Sequence, residues 1–138
     1  MTKQSVRQKF IHWILIGATS VTLLLTGCQP SSLASVTPKE ADAMFSEKKA
    51  IIVDVREDSE WNEGHIAGAI HIPLAQVESR LSELAQYKDS TVIMQCRSGK
   101  RSAKAAVIFQ YAGFSKVYNL TGGIIAWSKD GLKITNAI

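Results

Sequence analysis

The segment Cys96-Arg97-Ser98-Gly99-Lys100-Arg101-Ser102 puts one thiol ahead of three cations within five residues, and it follows the apolar run Thr91-Val92-Ile93-Met94 after one residue, Gln95. That order predicts a strand, a tight loop and a helix, with Cys96 where the strand ends. A thiol in that place faces backbone N–H groups and a helix N-terminus, which favour the thiolate. The thiolate is the reactive form, so the segment points to nucleophilic chemistry at Cys96 and to a lowered thiol pKa. Successive N–H groups from Arg97 to Ser102 can curl around an anion. Gly99 allows the backbone angles such a curl requires. Arg97, Lys100 and Arg101 raise the local potential, and an arginine can grip paired oxygens. The candidate catalytic residue is therefore Cys96, and the candidate anion-binding residues are Arg97, Ser98, Gly99, Lys100, Arg101 and Ser102.

The rest of the chain must hold that loop. Thr37-Pro38-Lys39-Glu40 has the composition of a capping box with proline at the first helical position. Ala41, Met44 and Phe45 follow at helical spacing. Residues 50–55 read as a buried strand. A second helix is expected with Asp58 as N-cap and Gly64 at its end. Residues 69–72 form a short strand stopped by Pro73. Leu74, Val77, Leu81 and Leu84 mark the face of a third helix. Residues 91–95 are the next strand, 102–111 a fourth helix ended by Gly113, and 116–120 the last strand. A turn at Gly122-Gly123 leads to a short helix over 124–129. Strands alternating with helices predict an α/β fold with a mainly parallel central sheet and helices on both faces. Ligands of such sheets bind at the carboxyl ends of the strands, where Cys96 falls.

The N-terminus reads as an address. The chain has 138 residues and a formal charge of +4. Lys3, Arg7 and Lys9 supply three of the positive charges, and from Cys28 onward 13 basic side chains face 12 acidic ones. A nucleic-acid binder is expected to carry a basic face on the domain itself, whereas the basic charge here mostly reflects the N-terminus, so no nucleic-acid partner is expected. A basic start, an apolar stretch over 10–25 and Leu25-Thr26-Gly27-Cys28 make a secretory signal. Those last four residues resemble the bacterial lipoprotein signal. The resemblance implies cleavage before Cys28, a thioether-linked lipid on Cys28 and fatty acylation, such as palmitate, of its new amino group. The expected organisation is a signal peptide over 1–27, a lipidated tether over 28–37 and one domain over 38–138. The expected location is the cell membrane or outer membrane, with the domain facing the periplasm or the outside. Gln29, rather than aspartate, leans toward the outer membrane. An uncleaved anchor or an ordinary cleaved signal are the alternatives, but about 20 apolar residues are needed to span a bilayer. With two cysteines in all, lipidation of Cys28 leaves Cys96 unpaired, and a Cys28–Cys96 disulfide would require losing the lipid signal.

Three further segments carry a family resemblance together with the Cys96 loop. Asp54-Val55-Arg56-Glu57, Glu60 through Ala69 and Ile72-Pro73 resemble the opening motifs of a rhodanese domain. Cys96 through Ser102 resembles its active-site loop, and Asn119-Leu120-Thr121-Gly122-Gly123-Ile124-Ile125-Ala126-Trp127 its closing motif. The resemblance implies a sulfurtransferase working through a Cys96 persulfide. Its expected partners are a small anionic sulfur donor such as thiosulfate and an acceptor that is cyanide, a thiol or a redox protein. No cofactor or metal is implied.

Two rival functions use the same loop. Phosphatases and arsenate reductases also place a thiolate in an anion loop, with an arginine six positions after the cysteine. Here that position is Ser102, and Arg101 falls at five. A rhodanese-like domain can also serve only to bind a partner or to carry a persulfide to one. Asp54 and Arg56 suit a pocket rim or an ion-paired scaffold, with the scaffold favoured. His65 and His71 lack the ligand count of a zinc site. Trp61 and Trp127 read as packing residues.

Overall fold

The computed structural model describes residues 32–136. The expected signal peptide, Cys28 and the first part of the expected tether lie outside the described residues. Five strands form one sheet in the order β1-β5-β4-β2-β3, where β1 is Ala34–Val36, β2 Ala50–Asp54, β3 Ile70–His71, β4 Thr91–Gln95 and β5 Lys116–Leu120. Every pairing is parallel. The helices are α1 (Pro38–Ser46), α2 (Asp58–Glu63), α3 (Val77–Arg80), α4 (Lys100–Tyr111) and α5 (Gly123–Lys129). The α/β architecture with helices on both faces is therefore present as expected.

Alternation along the central strands separates two cores. Val53, Val55, Val92, Met94 and Cys96 point to one face, where they pack with Ala105, Ala106 and Phe109 of α4. Ala50, Ile52 and Ile93 point to the other, against Ala41 and Trp127. A strand covered on both faces has to be apolar at successive positions, which is why Ile51-Ile52-Val53 and Val92-Ile93-Met94 read as unbroken runs. Residues 94 to 96 thus bring Cys96 to the carboxyl end of a central strand while it is still buried.

At α1 the capping box forms as expected: the Glu40 carboxylate accepts from the Thr37 N–H at 2.8 Å, and Thr37 Oγ1 accepts from the Glu40 N–H at 3.4 Å. Four expectations are corrected. The tether does not run to residue 37, because Ala34–Val36 is strand β1, paired with Tyr118–Leu120. Three residues with only Val36 buried leave no periodic signal. The N-cap of α2 is Glu57, one residue before Asp58, with the Glu60 carboxylate accepting from its N–H at 3.2 Å. The third helix is three short pieces, 3₁₀ over Leu74–Gln76, α over Val77–Arg80 and 3₁₀ over Leu81–Tyr87. Its face is as expected, with Val77 and Leu84 buried, since a spacing of three, four and three suits either helix type. Finally, α4 begins at Lys100, two residues early, with Gly99 as N-cap in the left-handed region at φ 95°.

Candidate active site

Cys96 leaves β4 with 1% of its surface exposed. Its Sγ accepts from the Gly99 N–H at 3.1 Å and from the Ser102 hydroxyl at 3.3 Å. Burial alone would push the thiol up. The Ser102 hydroxyl and the N–H groups of Ser102, Ser98 and Gly99 together outweigh burial and hold the pKa below its ordinary value. The cradle for the thiolate is thus made of backbone and one hydroxyl.

The loop keeps its N–H groups turned inward because its carbonyls are held outside. The Cys96 carbonyl accepts from the Gln95 side-chain amide at 2.6 Å and from the Ile124 N–H at 2.9 Å. The Arg97 carbonyl accepts from the Ile125 N–H at 3.3 Å. These last two donors are N–H groups from the first turn of α5, so the closing motif acts as a clamp on the outer side of the loop,. Only glycine fits where the clamp meets the loop. A Cβ on Gly123 would lie 2.3 Å from the Cys96 carbonyl oxygen and 2.6 Å from the Arg97 carbonyl carbon.

Asn119 fixes the inner side and was not singled out from sequence as a site residue. Its Oδ1 accepts from the Ser102 hydroxyl at 2.6 Å, and its amide donates to the Gly99 carbonyl at 3.1 Å. One serine proton therefore serves two acceptors, Cys96 Sγ and Asn119 Oδ1. When Cys96 is a thiol the proton can rest on Asn119. When Cys96 ionises it can turn to the sulfur. The sequence signal was only a polar side chain at the end of an apolar strand beside β4. Ser102→Ala removes this donor, so the Cys96 pKa is expected to rise. The pH midpoint of Cys96 alkylation by iodoacetamide then moves upward and the rate at neutral pH falls several-fold. An unchanged midpoint would mean that the hydroxyl does not serve the thiolate.

The three loop cations part company. Arg101, in the first turn of α4, forks onto Glu60 at 2.6 and 2.7 Å. The Arg101 hydrogen bonds are the main cause holding the Glu60 carboxyl down at about 2, and the same pair raises Arg101. The ion pair is thus intact across the neutral range. Arg97 and Lys100 are exposed. Arg97 lines an open cavity of about 410 Å³ beside the loop, together with Arg56, Glu60, Ile124 and Ile125. Cys96 does not line it. Of the three loop cations, Arg101 is thus already partnered by Glu60, while Arg97 and Lys100 are exposed.

Asp54 and Arg56 form a buried scaffold. Arg56 Nη2 and Asp54 Oδ2 lie 2.6 Å apart, with 5% and 0% of the two side chains exposed. The same guanidinium donates to the Glu60 and Gly64 carbonyls at 3.0 and 2.9 Å, which ties α2 to the end of β2. Trp61 is sandwiched by imidazoles, His65 at 3.7 Å and His71 at 4.5 Å between ring centroids, nearly parallel to both. Both its faces are covered, so it packs rather than stacks a ligand. With an indole between them, the two histidines cannot converge on one ion, and among the described residues no cluster of three metal-ligating side chains occurs. Trp127 is buried and donates from Nε1 to the Lys133 carbonyl at 3.0 Å.

A parallel α/β sheet with a buried cysteine in a backbone-lined loop at its carboxyl edge defines a class of cysteine-dependent anion-loop proteins. Residues 37–130 match the rhodanese-like domain, and the chain belongs to that family. It is 40% identical over 84 residues to a sulfurtransferase of Allochromatium vinosum, covering 61% of this chain and 77% of that protein. It is 39% identical over 104 residues to MoeZ of Mycobacterium tuberculosis, named a probable adenylyltransferase/sulfurtransferase, covering 73% of this chain but only 26% of MoeZ. Among solved structures it is similar to a thiosulfate sulfurtransferase of Pseudomonas aeruginosa, with a TM-score of 0.70 and 28% identity, over 77% of this chain and 21% of that one.

Proposed function

We propose that the protein transfers sulfane sulfur through a persulfide on Cys96, with thiosulfate or a similar anion as donor. The observation that carries this reading is the hydrogen-bonded cradle at Sγ, 3.1 Å from the Gly99 N–H and 3.3 Å from the Ser102 hydroxyl. The Cys96 thiolate attacks the outer sulfur of thiosulfate. The S–S bond of the donor breaks, sulfite leaves with its electron pair, and Cys96 Sγ carries the new sulfur as an anionic persulfide. Cyanide or a thiol then attacks that outer sulfur, and Sγ departs as the thiolate. The inward N–H groups of Ser98, Gly99 and Ser102 suit the negative charge at both stages, and Arg97 and Lys100 draw anions to the loop.

The geometry favours sulfur over phosphate. A phosphatase loop needs its arginine on the tetrahedral oxyanion, whereas Arg101 is bound to Glu60. The acceptor is cyanide, a small thiol or a redox protein, and in the last case the protein serves as a persulfide carrier.

Lipidation of Cys28, with the domain tethered to the cell membrane or outer membrane on its periplasmic or external side, belongs to the same reading. It is supported by Leu25-Thr26-Gly27-Cys28 after a basic and then apolar start,. The experiment is mass spectrometry of the full-length protein after thiosulfate. A gain of one sulfur, about 32 Da, on the Cys96 peptide, removed by cyanide or a thiol, is expected for a persulfide. No adduct with thiosulfate or polysulfide would leave a partner-binding module as the better account.

A further inference from the structure

The cavity of about 410 Å³ beside the Cys96 loop lies between α2, α5 and the C-terminal segment. Its size does not suit the smallest reactants of sulfur transfer. Cyanide is scarcely larger than a water molecule, whose share of liquid volume is about 30 Å³. Clefts of about 300–1,000 Å³ take organic ligands.

The walls are pre-formed. Arg56 donates to the Glu60 and Gly64 carbonyls at 3.0 and 2.9 Å and so fixes the α2 side. Just after α2, the C-terminal segment is pinned by a reciprocal pair of backbone bonds. The His65 N–H donates to the Thr135 carbonyl at 2.8 Å, and the Thr135 N–H donates to the His65 carbonyl at 2.7 Å. That pairing brings the neighbouring Ile134 into the cavity wall. On the third side, Ile124 and Ile125 are tied to the loop itself, through their N–H bonds to the Cys96 and Arg97 carbonyls.

The lining combines apolar surface with two unengaged charges. Ile125 and Ile134 are 52% and 45% exposed. Of the charged side chains in the wall, Arg56 is bound to Asp54 and Glu60 to Arg101. Arg97 and Glu63 are exposed, and among the described residues neither enters an ion pair. A dianion such as thiosulfate gains nothing from Glu63 and has no apolar part for the isoleucines. A molecule with a carboxylate for Arg97, an ammonium for Glu63 and an apolar body uses every wall.

We propose that this cavity is the acceptor subsite and takes a peptide-sized organic thiol bearing both a carboxylate and an ammonium group. Glu63 and Ile125 are its specificity residues. The proposal rests on the Cys96 persulfide. Sγ does not line the cavity, but the outer sulfur of a persulfide stands about 2 Å beyond Sγ, and the next residue, Arg97, is part of the wall. The bound thiol releases its proton to solvent, and its thiolate attacks the outer sulfur. The bond from that sulfur to Sγ breaks, Sγ leaves with the electron pair, and the acceptor departs as its own persulfide. No oxidant or reductant is consumed. Cyanide can discharge the same sulfur without any of these walls.

The test loads the full-length protein with thiosulfate, removes the excess donor and adds one acceptor at a time. Mass spectrometry of quenched samples follows loss of the extra sulfur from Cys96. Loading first separates the acceptor's site from the donor's. The acceptors are glutathione, N-acetylglutathione, which lacks the ammonium at a point remote from the thiol, and cyanide. Glutathione is expected to discharge the wild-type persulfide several-fold faster than N-acetylglutathione. Glu63→Gln should slow glutathione several-fold and erase that difference, with cyanide unchanged. Ile125→Asn should slow both thiols and spare cyanide. Equal rates for the two thiols on the wild type, or a Glu63→Gln effect that is absent or shared by cyanide, overturns the subsite while the persulfide stands. Failure of Cys96 to load sulfur overturns the persulfide and the subsite together.

Discussion

Cys96→Ser is expected to abolish sulfur transfer, with a loss of at least about 10³-fold in kcat/KM for thiosulfate and cyanide, while the fold persists. The substitution is nearly isosteric. The serine hydroxyl can still accept from the Gly99 N–H and meet the Ser102 hydroxyl, the two partners that Sγ has now at 3.1 and 3.3 Å. Stability should therefore change by about 1 kcal/mol or less, some 4–8 °C in Tm for a domain of this size. What is lost is chemical. An alcohol at neutral pH is not ionised by this cradle, and oxygen forms no persulfide that a second nucleophile can discharge. Steady-state assays and a thermal melt on the same preparation read both halves. Retained transfer would remove Cys96 from the mechanism. A variant that is inactive in transfer but unimpaired in the cell would identify partner binding as the physiological role.

The features legible in the sequence are those set by neighbours along the chain. Apolar runs at 51–53 and 92–94 marked strands buried on two faces, and Thr37 with Glu40 marked a helix start, because these signals lie within a few residues of what they specify. Cys96 was visible for the same reason: strand, glycine loop and helix follow one another directly. The rest depends on pairs that only folding joins. Arg101 reads as a loop cation until Glu60, 41 residues away, takes its guanidinium. Asn119 reads as a strand residue until it meets Ser102, 17 residues earlier. Strand β1 exists because β5 offers it an edge, and Ala-Ser-Val alone has no reason to be extended. The loop's charge was legible, but its direction was not, since with α4 starting at Lys100 the Arg101 guanidinium meets Glu60.

Arg56→Ala is expected to be the most damaging single change outside the loop. Asp54 is fully buried, and its carboxylate is met by Arg56 through its backbone N–H, its Nε and its Nη2, at 2.6 to 3.0 Å. Removing the guanidinium leaves that charge in the interior and strips the Glu60 and Gly64 carbonyls of their donor. Breaking a buried pair in this way costs about 3–5 kcal/mol, a large part of the roughly 5–15 kcal/mol that holds a domain together. The damage should also reach the site, because the released helix α2 carries Glu60, which holds Arg101 beside the Cys96 loop. Arg56→Lys keeps a cation but not the planar fork, so it should recover part of the stability and fail to hold both carbonyls. Urea unfolding of the three proteins gives the order wild type, Lys, Ala. The cost comes from an orphaned charge rather than from a missing attraction. Asp54→Asn in the Arg56→Ala background should therefore restore stability relative to Arg56→Ala alone, since a neutral amide is cheaper to bury. A double variant as unstable as the single one would place the loss in the carbonyl contacts of α2 instead.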